Sequence, residues 1–295
     1  MDNNTNTRKA KPKSVNQEEL ADMIKYYEDG LSTVKIAELY NMKPSTVISR
    51  LKRAGVELRS NKINSRRYSL NHDIFSVIDN EQKAYWLGFL YADGFLNKNS
   101  NQFGISLSVK DIDHLYKFKE FIQTDAPIYT YKANAKGFSN GDYCRILLSS
   151  DSIKNDLIKH GCYTNKTLIL DKPNIAKELI PHFIRGYFDG DGCITICHSY
   201  KRNYDACKVS FVGTEKLLNF INDWTLDNLN FKMKTLTKRK KDSKVFCLEF
   251  YSNKRSKAFL DSIYCNATIY LDRKHQKYIE WFYNNKVELT RNSER

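Results

Sequence analysis

Two aspartates, Asp93 and Asp191, each close an apolar, helix-like segment, and each is followed by a glycine, Gly94 and Gly192. A carboxylate at a helix C-terminus faces the negative end of the macrodipole. If two such helices pack side by side, their carboxylates also repel one another. A divalent cation between them removes both penalties, and hard oxygen ligands with open coordination positions suit Mg²⁺. Such a pair can serve the activation of water and the stabilisation of a leaving oxygen.

The elements that must position this pair are the two helices themselves. Gly88 and Ala92 are four residues apart, as are Gly186 and Gly190, so each helix carries a stripe of small residues along which two backbones can approach closely. Trp86, Phe89 and Leu90 on one helix, and Phe183, Tyr187 and Phe188 on the other, then pack into flanking cores. Gly94 and Gly192 suit a left-handed helix-ending position. Asp93 and Asp191 lie 98 positions apart, and the surrounding sequence repeats with them. EQKAYWLGFLYADG (81–94) is followed by the β-like GISLSV, the helix-like DIDHLYKFKEFI, the runs PIYTYKA and YCRILLS, and the helix-like DSIKNDLIKHG. LIPHFIRGYFDGDG (179–192) is followed by KVSFVG, TEKLLNFINDW, FKMKTLTKR, VFCLEFYS and NKRSKAFLDSIY. With a strand directly after each aspartate, both copies read αββαββα. The expected fold class is α+β: two pseudo-symmetric αββαββα repeats with antiparallel sheets, over 81–170 and 171–285.

WLGFLYADG (86–94) and IRGYFDGDG (184–192) resemble the two signature helices of the LAGLIDADG homing endonucleases, and the resemblance covers residues 81–283. It implies a monomeric enzyme of a mobile genetic element, which hydrolyses both strands of a long specific DNA site across the minor groove. Carried over by motif position, Asp93 and Asp191 correspond to metal-binding catalytic acids that hold two or three divalent ions, Mg²⁺ with Mn²⁺ as a substitute. Gly88, Ala92, Gly186 and Gly190 correspond to the helix-packing positions. The acid two residues earlier is Asp189 in the second copy but Tyr91 in the first, so no symmetric role is implied there. The family also places a basic residue late in each repeat. Lys166 in TNKTLIL matches that position. In NATIYLDRK the aligned residue is Ala267, with Arg273 and Lys274 a turn further on; Lys274 is the expected substitute, and Arg273 stays open.

The chain of 295 residues carries 48 Lys plus Arg against 34 Asp plus Glu, a formal charge of +14 that points to a polyanion. In the family each half lays a curved sheet in the major groove, so polar and basic residues should recur at alternate strand positions. FKMKTLTKRKK (231–241) does so with Lys232, Lys234, Lys238 and Lys240. Tyr129, Tyr131, Lys132 and Lys136 in the first half, and Lys201, Arg202 and Lys208 in the second, extend the basic surface. The bland alternative is an edge strand kept soluble by lysines.

Upstream, residues 1–15 read as a polar, basic tail, 16–58 as a small all-α domain, 59–80 as a basic linker with little core, and 286–295 as a C-terminal tail. Leu20, Met23, Ile24 and Tyr27 mark one face of a first helix ended by Gly30. Ser32 or Thr33 caps a second, with Ile36, Ala37 and Leu39 inside. Pro44 opens a third, which carries Val47, Ile48 and Leu51 inward and closes at Gly55. This arrangement resembles the helix-turn-helix modules of resolvases and phage regulators. Its third helix would present Lys43, Ser45, Thr46, Ser49, Arg50 and Arg53 to base edges and phosphates. The bland alternative is a three-helix bundle with a solvated basic face.

Several classes are excluded or disfavoured. No apolar run reaches 18 residues, so no membrane span is expected. The polar N-terminus argues against a secretory signal. Seven scattered cysteines without a CxxC pair read as reduced thiols, which suits the cytoplasm or the compartment holding the genome. DGDG (189–192) superficially matches the DxD nucleophile of haloacid-dehalogenase-type phosphatases, but that motif follows a strand and HFIRGYF reads as a helix. An EF-hand would need an oxygen ligand at Cys193 and a closing Glu. Cys193, Cys197 and His198 lack a second ligand pair and read as strand residues. On the same scaffold, a DNA-binding regulator without cleavage and an RNA maturase that assists intron splicing remain the alternatives to the endonuclease.

Overall fold

The computed structural model describes residues 17–58, 68–133, 141–199, 204–239 and 244–284. Compact packing divides the chain between Arg67 and Tyr68 into two units.

The first unit holds α1 (Gln17–Glu28), α2 (Thr33–Leu39) and α3 (Pro44–Arg53). Ser32 caps α2 by accepting a hydrogen bond from the Lys35 amide at 3.2 Å, and Pro44 opens α3. Gly30 and Gly55 take φ values of +100° and +79° and end α1 and α3. Met23, Tyr27, Ile36, Ala37, Val47 and Leu51 form a closed core of their own. Leu39 does not join it. It is 63% exposed, because the seven-residue α2 turns only its Ile36–Ala37 face towards α1 and α3. Ile48 is half-buried rather than central.

The second unit contains both repeats. The first consists of α4 (Glu81–Ala92), β1 (Gly94–Leu96), β2 (Gln102–Ser108), α5 (Ile112–Phe121), β3 (Ile128–Tyr131), β4 (Tyr143–Ser149) and α6 (Asp151–Lys159). The second consists of α7 (Ile180–Asp191), β5 (Cys193–Ser199), β6 (Tyr204–Gly213), α8 (Glu215–Leu229), β7 (Thr237–Lys238), β8 (Phe246–Tyr251) and α9 (Asn253–Tyr264), followed by α10 (Asp272–Ile279). The strand orders β1-β2-β4-β3 and β5-β6-β8-β7 are the same, and every pairing is antiparallel. The chain is therefore α+β with two αββαββα repeats. In each sheet alternate residues point inward: Phe103, Ile105 and Leu107 from β2 and Cys144, Ile146 and Leu148 from β4 are buried beneath the helices. One continuous core spans both repeats.

The helices α4 and α7 pack against each other more extensively than any other pair of elements. Ala84 to Tyr91 are all buried, so α4 is apolar around its whole circumference, as a central helix requires.

Two expectations are corrected here. Residues 68–80 are no linker: Phe75 is fully buried edge-to-face against Phe121, and Tyr68, Leu70 and Ile74 pack on the same core. The expected strand through 231–241 is limited to Thr237–Lys238 among the described residues. Asn222 holds the chain before it, its Oδ1 accepting from the Lys234 amide at 3.2 Å and its Nδ2 donating to the Lys234 carbonyl at 2.8 Å. Those backbone groups pair with a side chain and not with β8.

Candidate active site

The close approach of α4 and α7 depends on three glycines. A Cβ on Gly88 would lie 2.1 Å from the Phe183 carbonyl oxygen, and one on Gly186 only 1.9 Å from that of Tyr85. A Cβ on Gly190 would lie 2.2 Å from the Ala92 Cβ and 3.3 Å from Asp93 Oδ2. The small-residue stripe read in the sequence therefore delivers the C-terminal ends of both helices to one place. Gly94 and Gly192 are corrected: neither has a positive φ. Each follows its aspartate where the emerging strand returns over the helix. A Cβ there would meet the Leu90 carbonyl at 2.5 Å or the Phe188 ring at 2.1 Å.

Asp93 is the C-cap of α4, its amide donating to the Phe89 carbonyl at 2.9 Å, and Asp191 is the last residue of α7. Burial, followed by the negative charge of Asp191, pushes the Asp93 carboxyl up to about 6, against the attraction of Lys274 and Lys166. Asp191 is also raised by the protein packed about its carboxyl, although the residue keeps solvent access; Lys166 and Lys274 again oppose the shift.

Both lysines sit among carbonyl oxygens at these helix ends. Lys166 Nζ donates to the Ala92 carbonyl at 2.9 Å and to that of Gly94. Lys274 Nζ donates to the Phe188 carbonyl at 2.6 Å, to Gly190 at 3.2 Å and to Gly192. Ala92 and Gly94 bracket Asp93 as Gly190 and Gly192 bracket Asp191, so the two ammonium groups occupy equivalent positions. Burial lowers the pKa of both. Ala267, the aligned partner of Lys166 in sequence, is elsewhere: its amide donates to the Tyr264 carbonyl at 3.1 Å. Lys166 comes seven residues after the end of α6 and Lys274 ten after the end of α9, which is why alignment without gaps misses the match. Arg273 is held away by a two-pronged ion pair with Asp111, both contacts at 3.0 Å.

Behind the carboxylates lies a polar network with no direct sign in the sequence. Asp189, 1% exposed, accepts from Tyr85 Oη at 2.8 Å, Tyr264 Oη at 2.5 Å and the Leu271 amide at 2.7 Å. Arg185, equally buried, pairs with Glu81 at 2.6 Å and donates to the carbonyls of Ile269 and Ile263. The available signal is Arg185 and Asp189, charged residues set among the apolar Phe183, Ile184, Tyr187 and Phe188 of the same helix.

The residues expected at a DNA surface are distributed as follows. Lys43, Ser45, Ser49 and Arg53 of the first unit are exposed, whereas Thr46 and Arg50 are half-buried. Lys132 is exposed and paired with Asp142 at 3.0 Å. Lys208, on β6, pairs with Glu249 at 3.0 Å. Lys232 and Lys238 are exposed and Lys234 is half-buried. Lys136, Lys201, Arg202 and Lys240 lie outside the described residues. On the outward face of the first sheet, Tyr129 and Ser106 both lie opposite Arg145, whose Nε donates to Ser106 Oγ at 2.7 Å. Arg145 was missed, although its place between inward-facing Cys144 and Ile146 marks it as outward.

All seven cysteines are free. Cys193 Sγ contacts Thr195 Oγ1 at 3.3 Å and His198 pairs with Asp205, so these residues belong to β5 and its hairpin. Among the described residues no group of three or more His, Cys, Asp or Glu side chains could hold a metal ion, and no helix is long and apolar enough to cross a membrane. The two aspartates still fit a hard cation of the Mg²⁺ type, which is commonly bound through one or two carboxylates, with water and substrate phosphate completing its shell.

No protein-family model matches the chain. An uncharacterized protein of Methanocaldococcus jannaschii is 27% identical over 170 residues, 55% of this chain and 61% of the relative. The chain thus spans about three fifths of the length of that curated relative. Among solved structures, the LAGLIDADG homing endonuclease I-GzeII in complex with its DNA target is similar over 73% of this chain and 94% of its own, at 14% identity and a TM-score of 0.47. The LAGLIDADG meganuclease I-AabMI bound to uncleaved DNA is similar over 72% and 94%, at 12% identity and a TM-score of 0.45. The LAGLIDADG homing endonuclease I-LtrWI bound to target DNA is similar over 75% and 94%, at 13% identity and a TM-score of 0.44.

Proposed function

We propose that this chain is a site-specific DNA endonuclease of the LAGLIDADG type, which hydrolyses a phosphodiester bond in each strand of a long double-stranded target. The observation that carries the reading is the raised pKa of Asp93 beside Asp191, at paired helix ends flanked by two equivalently seated lysines. A half-buried carboxylate whose charge is disfavoured, set beside a second carboxylate, is matched to a divalent cation and the phosphate it accompanies. Asp93 and Asp191 would hold the ions, Mg²⁺ or Mn²⁺. When bound, these supply charge neutralisation at the phosphate and acidify water.

The chain's own residues do the rest. Gly88, Ala92, Gly186 and Gly190 let the helices converge, which sets the separation of the two carboxylates. Lys166 and Lys274 hold positive charge against the developing charge of each cleaved strand. Lys132, Lys208, Lys232, Lys234, Lys238 and the outward faces of both sheets contact the DNA backbone and grooves. The first unit acts as a helix-turn-helix that adds an outlying contact through α3, and its tether raises its effective concentration at the site. The protein acts as a monomer, since one chain supplies both halves.

The test is incubation with a plasmid library of randomised inserts, and with the gene's own flanking sequence joined without the gene. Mg²⁺-dependent linearisation at one site, absent in Asp93→Asn and Asp191→Asn, is expected. Tight specific binding with neither nicking nor linearisation in Mg²⁺ or Mn²⁺ would overturn cleavage in favour of a regulator.

A further inference from the structure

We propose that Asp189 is a positioning residue for Lys274, fastening the lysine-bearing segment of the second repeat, while Tyr91 fastens that of the first by the opposite chemistry. This rests on the nuclease reading and extends it to how each lysine is held.

Tyr91 and Asp189 stand two residues before Asp93 and Asp191. Tyr91 Oη donates to the His160 carbonyl at 2.7 Å, on the segment that leads to Lys166. Asp189 accepts from the Leu271 amide at 2.7 Å, and the Leu271 carbonyl in turn accepts from the Lys274 amide at 3.0 Å. One repeat thus grips its segment through a donor, the other through an acceptor.

The carboxylate is well suited to transmit position. Its Oδ2 takes Tyr85 and Leu271 while its Oδ1 takes Tyr264, so three donors from three directions fix its orientation. Because the Tyr85 proton points to Asp189, the Tyr85 oxygen accepts from His114 Nε2 at 2.9 Å. That assigns the proton to Nε2 and leaves Nδ1, which has no hydrogen-bond partner among the described residues, as the unprotonated nitrogen. The chain His114–Tyr85–Asp189–Leu271 therefore crosses from one repeat into the other. Arg185 and Glu81 hold the same segment further back, at Ile263, Ile269 and Thr268. The position equivalent to Arg185 in the first repeat is Leu87, so this polar fastening belongs to the second lysine alone.

The test uses the full chain as wild type, Asp189→Asn, Tyr91→Phe and Lys274→Met. Hydrogen exchange is measured without DNA or metal, and cleavage is measured in Mg²⁺ on a supercoiled plasmid carrying a target recovered by selection. Asp189→Asn is expected to speed exchange at 271–275 on the order of tenfold with little change at 162–168. Tyr91→Phe should do the reverse. In cleavage, Asp189→Asn should accumulate nicked circles as Lys274→Met does, with one strand slowed and the other nearly unaffected. Unchanged exchange at 271–275, or equal slowing of both strands, would overturn the proposal. If the wild type cuts no DNA, the nuclease reading fails and the exchange result alone decides the positioning. If Asp189→Asn does not fold, Tyr264→Phe, which removes one of the three donors, should give a smaller local rise, and no rise there overturns the proposal.

Discussion

Gly88 and Gly186 each lie against the backbone of the opposite helix, with no room for a methyl group on either side. The Cβ positions would fall 2.1 Å from the Phe183 carbonyl oxygen and 1.9 Å from the Tyr85 carbonyl oxygen. The obstacle is main chain, so relief requires the helices to separate, and their separation also sets the distance between Asp93 and Asp191.

Gly186→Ala is therefore expected to cost about 2–3 kcal/mol or more, lowering the melting temperature by roughly 4–12 °C for a unit of this size. Thermal unfolding measures it. A melting temperature within a degree of the wild type would contradict this backbone-to-backbone packing.

Asp93→Asn is expected to stabilise the metal-free protein at neutral pH while abolishing cleavage. The folded-state pKa of Asp93 is raised from 3.8 to about 6, so the native state retains a proton that the unfolded chain has released. Stability therefore falls as pH rises from about 4 to 6, and the penalty is fully present at pH 7. Its removal is worth about 1–2 kcal/mol after allowance for the partial solvent access of the group. Denaturant titrations should find the variant more stable than the wild type at pH 7.5 and indistinguishable from it near pH 4. Equal stabilities at both pH values would refute the origin assigned to the shift.

The same shift sets the pH dependence of the proposed reaction. Protons and divalent cations compete for Asp93, so Mg²⁺-dependent cleavage should decline below about pH 6. A higher Mg²⁺ concentration should move the decline to lower pH. A profile indifferent to Mg²⁺ would place the controlling group elsewhere.

Much of this was legible beforehand because periodicity and small-residue spacing report directly on packing. The boundaries of α1, α4 and α7, the repeat, and the convergence of Asp93 with Asp191 all follow from side-chain type at fixed intervals. What escaped detection depends on tertiary partners. Phe75 reads as part of a basic stretch until Phe121 is seen beneath it. Lys274 is expected from the sequence only as a substitute, with Arg273 left open, because a longer connector shifts it from the aligned position; the carbonyls of Gly190 and Gly192 show its equivalence to Lys166. Lysine alternation suggested a strand through Lys232 and Lys234, but Asn222, twelve residues away, takes the backbone groups a strand would use. Leu39 looked internal because a seven-residue helix carries too few turns for its apolar face to be read reliably.

The contribution of the first unit can be separated from that of the repeats by salt dependence. Arg53 and Lys43 are exposed on and beside α3, whereas Arg50 is half-buried, with Nη1 lacking a hydrogen-bond partner among the described residues. If α3 lies against DNA, Arg53→Ala should weaken binding across all sequences and reduce the slope of log affinity against log salt by about 1. Arg50→Ala should act differently. If its guanidinium reaches a base, its loss should cost about 1–3 kcal/mol and should relax the preference at one position. Lys208→Ala, on the second sheet, should change the slope without altering protection at the outer end of the footprint. Titrations at several salt concentrations, with footprints of each variant, distinguish these effects. An Arg53→Ala variant with unchanged slope and unchanged footprint would show that α3 is a solvated face rather than a DNA-reading helix.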